Sequence, residues 1–183
     1  MKEIKYLQQF TQFQSFQILY DTRQDEYHIK TLQQILYNKQ NIIILIQTDE
    51  NDLFGSFHAS ISSRKMMQQK QKHSGWIWED EDKEMFLFTL HNHLNPNQEP
   101  QCFPLKMNSE SCLCLYPSEN HFEIVFWICY CINLLKPLHI PKSFIFKDID
   151  EYFEMKTPND LIGKSGLLET FSPKRVIVLE CFN

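Results

Sequence analysis

The side chains best suited to chemistry come in close pairs: His91-x-His93, Cys112-x-Cys114 and Cys129-x-Cys131. Imidazole and thiolate are ordinary zinc ligands, and the first two pairs would converge on one ion if their strands paired. Structural zinc sites prefer two residues between ligands, in a turn that lets both thiolates reach the metal. One intervening residue on a strand is poorer geometry, so no metal and no other cofactor is expected. The competing reading is plain: residues two apart on a strand share a face, and a buried thiol behaves as a small hydrophobe. In a reducing compartment such cysteines stay free. Cys102, between Gln101 and Phe103 in a proline-rich stretch, is the thiol expected to be most exposed. A redox role there needs access and a lowered pKa, and Lys106 is the nearest cation. Otherwise it is a loop cysteine of no consequence.

A second kind of chemistry lies in the run Arg64-Lys65-Met66-Met67-Gln68-Gln69-Lys70-Gln71-Lys72-His73. Arg64, Lys65, Lys70 and Lys72 would give a flexible basic loop able to contact DNA or an acidic protein surface. Lys174 and Arg175 form a smaller basic pair. The bland alternative is a solvated insertion. Trp76 and Trp78 nearby read as core aromatics, since stacking on bases needs exposed rings in a basic groove.

The elements that position these residues follow from pattern. Ile4, Leu7, Phe10 and Phe13 recur at helical spacing. A second stripe, Ile29, Leu32, Ile35 and Leu36, predicts an amphipathic helix from about His28 to Lys39, with Asp25 and Glu26 before its N-terminus. Ile42 to Ile46 is apolar at every position and largely β-branched, which predicts a strand buried on both faces. The acidic turn Asp49-Glu50-Asn51-Asp52 then leads to an antiparallel neighbour, Leu53 to Ile61. Strands are expected at Trp76 to Trp78, Met85 to Leu90, Cys112 to Tyr116, Phe122 to Cys131 and Val176 to Phe182. A loop is expected from His91 to Pro104, and a short helix near Ile149 to Phe153. Many strands with few helices, and no βαβ alternation, predict an α+β domain built on antiparallel sheets.

Length and composition set the limits. The chain has 183 residues, enough for one domain with a sizeable core. Only 4 glycines argue against phosphate-cradling loops, which need close backbone approach. A net charge of -5 argues against a generic nucleic-acid binder without removing a local basic patch. Met1 to Phe10 has no signal-peptide core. Phe122 to Leu135, the most apolar stretch, contains Glu123 and is shorter than the roughly 20 residues that span a bilayer. The expectation is a soluble cytoplasmic or nuclear protein with no membrane insertion.

The order of these segments resembles the TLDc domain of the oxidation-resistance proteins. The resemblance is carried by Leu19-Tyr20, Arg23 and Asp25 before the helix, by the strand Ile42 to Ile46, and by Phe54-Gly55. Phe86-Leu87-Phe88, Phe103-Pro104 and Glu180 in the last strand continue it. The chain departs from the family at Glu26, where glycine is usual. It departs again at Ser118 to Ile124, where the family has a glycine-rich turn ending in aspartate-leucine. The resemblance implies a sandwich of two mainly antiparallel sheets flanked by helices, over residues 17–183, with residues 1–16 as an N-terminal helical extension. It makes Asp25, Ser56 and Glu180 candidate binding residues, because they match or adjoin its motifs. Each also has a local reading: a charge at a helix N-terminus for Asp25, and a strand residue satisfied by a neighbour for Glu180.

The family has no established catalytic constellation. The resemblance therefore implies a non-enzymatic module of the oxidative-stress response that works by protein contact, in some members with the vacuolar proton-pumping ATPase. Two other classes compete with it: a DNA-binding regulator using residues 64–73, and a thiol-dependent peroxide-handling enzyme using Cys102.

Overall fold

The computed structural model describes residues 2–61, 77–79, 82–106, 113–115, 124–129, 131–162 and 168–183. The basic run of residues 64–73, Trp76, Cys112, the expected turn at Pro117 to Asn120 and the glycines at 163 and 166 lie outside them.

Ile42 to Ile46 behaves as its composition requires. It forms the middle of β2 (Gln40–Thr48), and all five side chains are buried. Full burial of one such side chain contributes about 1.5–3 kcal/mol before entropy is counted. The acidic turn leads into β3 (Leu53–Ser60), paired antiparallel with Ile44 opposite Ser56 and Leu45 opposite Gly55. β5 (Phe86–His91) follows β3 in the sheet, and on the other side β2 pairs with β12 (Pro173–Phe182). With β1 (Ser15–Asp21) and β6 (Gln101–Pro104) at its edges, the first sheet runs β1-β12-β2-β3-β5-β6, antiparallel throughout.

The second sheet is built from β4 (Ile77–Glu79), β7 (Leu113–Leu115), β8 (Ile124–Ile128), β9 (Ile132–Leu135), β10 (Ser143–Phe146) and β11 (Leu168–Phe171). Its order is β11-β10-β9-β8-β7-β4, also antiparallel. The main core lies between the sheets, where Ile42, Ile44, Phe54 and Val178 meet Phe126, Ile132, Leu134 and Phe171. Phe54 and Phe171 touch edge to face across it, centroids 5.5 Å apart. This is the two-sheet α+β sandwich that the sequence led us to expect.

A second, smaller core covers the outer face of the first sheet. Ile43, Leu45, Phe57, Phe88 and Leu179 line it, and Leu7 of α1 (Lys2–Thr11) seals it. Here Gly55 has a specific task. A Cβ on it would sit 2.2 Å from the carbonyl oxygen of Ile44 and 2.9 Å from Cζ of Phe88, so the Phe88 ring occupies the space a side chain would need. Among the described residues the remaining helices are short: α2 (Ile29–Leu36), a 3-10 turn (Lys147–Glu151) and α3 (Asn159–Ile162).

Several expectations change. α2 starts one residue late and stops early. Its N-terminus is capped by His28, whose Nδ1 accepts from the Lys30 N–H at 3.1 Å, and it ends before Asn38, which has a left-handed φ of 56°. The expected loop His91 to Pro104 closes in a strand, β6. Proline is tolerated there because an edge strand has a side without a ladder. The expected single strand Phe122 to Cys131 breaks at Cys129, where φ is 46°, and the chain turns back into β9. Cys129 and Cys131 are therefore turn residues, although both are buried as expected. β1 begins at Ser15, so the boundary drawn between residues 16 and 17 falls inside a strand.

Candidate functional site

Ser56 and His58 are two apart on β3 and so share a face, which here points between the sheets. Ser56 Oγ lies 2.9 Å from His58 Nε2, and Asp82 Oδ2 lies 3.7 Å from His58 Nδ1. Nucleophile, base and acid thus stand in the order that acyl transfer uses. Three observations argue against that use. Ser56 and His58 are 0% exposed and Asp82 4%, which leaves no path for a substrate carbonyl. At 3.7 Å the carboxylate is beyond hydrogen-bond reach of Nδ1, which has no hydrogen-bond partner among the described residues. Burial holds the His58 pKa down at about 3, which makes the imidazole a poor base for the Ser56 proton. The group is a buried polar link in an apolar core. Of its members only Ser56 was a sequence candidate. The S-x-H spacing on a strand was the available signal for His58, whereas the approach of Asp82 is tertiary.

Asp25 is spent locally. Its Oδ2 accepts the backbone N–H of Asp21 at 2.8 Å. Asp21 in turn holds Arg175: its Oδ1 accepts from Nε at 2.8 Å, and its Oδ2 accepts from Nη2. The Arg175 guanidinium keeps the Asp21 carboxyl below the usual range. Thr22 and Val176 exchange two further bonds, of 3.1 and 3.0 Å, so the turn after β1 is tied to β12. Tyr20 closes the same turn by donating to the Glu26 carbonyl at 3.0 Å, and burial pushes its hydroxyl pKa up. Arg175, read as half of a small basic pair, is therefore engaged by Asp21, while Lys174 is exposed. Glu180 accepts from Lys39 Nζ through both carboxylate oxygens at 3.0 Å. Asp25, Ser56 and Glu180 thus belong to three separate bonding groups, and the fold does not gather them into one site.

The acidic turn between β2 and β3 collects three histidines that the sequence scatters. His91 Nδ1 lies 2.9 Å from the Asn51 carbonyl, His93 Nδ1 2.7 Å from Asp52 Oδ1, and His139 Nδ1 2.7 Å from Asp49 Oδ1. The zinc arrangement considered above required the histidine and cysteine strands to pair. They do not: His91 ends β5 in the first sheet, and Cys114 sits in β7 in the second. Among the described residues no group of three or more His, Cys, Asp or Glu side chains is placed to hold a metal ion.

The thiols are placed for packing. Cys102 lies in β6 and not in a loop. It is half-buried, and burial pushes its pKa up to about 11, opposite to what a nucleophile needs. Burial raises Cys181 to about 12, with Glu180 adding to the effect. Cys131 is raised by burial and then by the carboxylates of Asp148, Glu151 and Asp150. Cys129 Sγ packs 3.5 Å from Met85 Sδ inside the core.

In a comparison with family models, the TLDc domain matches over residues 1–126. The matched span takes in Leu19-Tyr20, Phe54-Gly55, Phe86-Leu87-Phe88 and Phe103-Pro104, and stops within β8. No curated protein matches the chain.

Proposed function

The chain belongs to the TLDc domain family, and from that premise we propose that it is a non-enzymatic module of the oxidative-stress response that acts by protein contact. One observation carries this reading. The polar residues that resemblance singled out are enclosed or bonded internally, whereas the outer face of the first sheet keeps partly exposed aromatic and aliphatic side chains. Such a distribution suits recognition better than bond-making. The vacuolar proton-pumping ATPase is the partner that family kinship suggests, and the cytoplasm or nucleus is the compartment. Among the described residues no helix is long and apolar enough to cross a membrane.

The test is affinity purification from oxidant-treated and untreated cells, with identification of bound protein and nucleic acid. A protein partner retained at high salt supports the reading, and nucleic acid as the sole ligand overturns it. The DNA-binding alternative rests on residues 64–73, a basic run on a chain of net charge -5. Changing Arg64, Lys65, Lys70 and Lys72 together to Gln should then lower the log-log salt slope on duplex DNA by about 0.9 for each phosphate no longer neutralised. No DNA binding by the parent at low salt removes that alternative. The thiol-enzyme alternative is disfavoured by the raised pKa of Cys102.

A further inference from the structure

Among the described residues the two sheets end in four edge strands, and three of them are protected in the usual ways. β4 and β11 are only 3 and 4 residues long. β6 has 4 residues and ends in Pro104. β1 is different. It runs for 7 residues, and from Ser15 to Tyr20 it holds no charge and no proline. Among the described residues no strand pairs with its outward side, whose N–H and C=O groups are a template for another strand.

Along β1, Phe16 stands opposite Cys181 and Ile18 opposite Leu179, so both face the smaller core that α1 seals. Phe16 packs against that core, while Ile18 is 59% exposed at its margin. Ser15 and Gln17 are exposed on the other face. The register with β12 shifts between Ile18 and Tyr20, so Leu19 is a bulge. A bulge bends the strand, which confines a new regular ladder to Ser15 to Leu19.

We propose that the outward side of β1 pairs with β1 of a second copy of this chain, antiparallel and about a two-fold axis at Gln17. The register follows from the strand itself. A two-fold axis normal to the sheet leaves each residue on its own face, so residues that meet are identical or an even number of positions apart. Centring the axis on Gln17 sets Gln17 against itself, Phe16 against Ile18 of the second copy, and Ser15 against its Leu19. That uses the whole regular stretch. It also covers Ile18 with a ring, an aromatic and β-branched pair of the kind that stabilises antiparallel strands. Centring on Phe16 would leave Ile18 opposite Gln14, before the strand begins, and centring on Ile18 would run into the bulge. Because the stretch is uncharged, no like charges meet across the axis, although each chain carries a net charge of -5. One such pairing consumes the edge, so assembly closes at the dimer. About five residues a side is short of the roughly 20–30 of a stable interface, so the dimer is weak. The pairing is independent of the contact reading above.

The test is self-association of the full chain, measured by sedimentation from about 10 to about 500 μM, above the micromolar lower limit of full-size interfaces. A reversible monomer–dimer equilibrium is expected. Ile18→Lys sets a charge against Phe16 of the other copy twice in each dimer, and should raise the dissociation constant at least about 10-fold. Leu94→Lys, at a site 62% exposed beyond β5, should leave it unchanged. A second measurement reads the register. Residues directly opposite in an antiparallel pair lie about 4.5–5.5 Å apart at Cα, within disulfide range. Gln17→Cys should therefore give a disulfide-linked dimer under mild oxidation, above the background of the parent, and Ser15→Cys should not. A monomer throughout the concentration range, or a dimer that Ile18→Lys leaves intact, overturns the proposal. So does a failure of Gln17→Cys to cross-link above that background.

Discussion

His58 offers the sharpest test of the core. Its imidazole is fully enclosed, and burial holds its pKa at about 3 against an ordinary 6.5. Between those two values the unfolded chain binds a proton that the folded chain refuses, so stability falls as pH falls. The contribution is complete above about pH 6.5, declines by about 1.4 kcal/mol for each further unit, and levels off near pH 3. Going from about pH 7.5 to about pH 5 should therefore cost about 2 kcal/mol from this residue alone. For a domain of this size that is a fall in Tm of roughly 4–8 °C. The assay is urea denaturation at both pH values, on the parent and on His58→Gln, which keeps an amide for Ser56 Oγ but does not titrate. The variant should lose about 2 kcal/mol less than the parent between the two conditions. An equal loss in both proteins would refute the reasoning. So would an imidazole resonance of folded His58 that titrates near pH 6.5, because Asp82 at 3.7 Å would then be holding the proton that burial should expel.

Other consequences can be checked with single substitutions. Gly55→Ala drives a methyl group into the Ile44 carbonyl and the Phe88 ring, and should destabilise by about 3 kcal/mol or more in chemical denaturation. Arg175→Met leaves the buried Asp21 carboxylate without its guanidinium and should cost about 2–4 kcal/mol; a change within about 0.5 kcal/mol would mean the pair is idle. Cys102, with its pKa near 11, should react with iodoacetamide at neutral pH on the order of 100-fold more slowly than free cysteine.

Where burial is two-sided and local, the sequence spoke clearly. Ile42 to Ile46 could be read as a central strand because no polar residue interrupts it, and the acidic turn after it because Asp and Asn favour turns. Edges were harder. β1 shows the mixed burial pattern of a strand with one neighbour, and β6 is flanked by Pro100, which reads as a loop signal. The break at Cys129 was hidden because a cysteine, and not a glycine, takes the left-handed conformation there. At the candidate site, Ser56 was found through its motif, but its partners were not. His58 could have been read from its place two residues on along the same strand, but which carboxylate approaches its ring is decided by tertiary packing over a separation of 24 residues, from His58 to Asp82.

The place of β12 has a consequence for synthesis on the ribosome. In chain order it is the last strand of the first sheet, yet in space it lies inside that sheet, between β1 and β2. Until residues 173–182 have emerged, the nascent chain can assemble β2-β3-β5-β6 but must leave one long side of β2 without a ladder. That side belongs to a strand whose five central side chains, Ile42 to Ile46, are all apolar and buried in the finished fold. An open, β-branched edge of this kind invites pairing with other chains. Translation of the second sheet takes place while the hazard lasts, at about 5–20 residues per second. Chaperone engagement during that interval, and poor solubility of any product truncated before β12, follow from strand order alone.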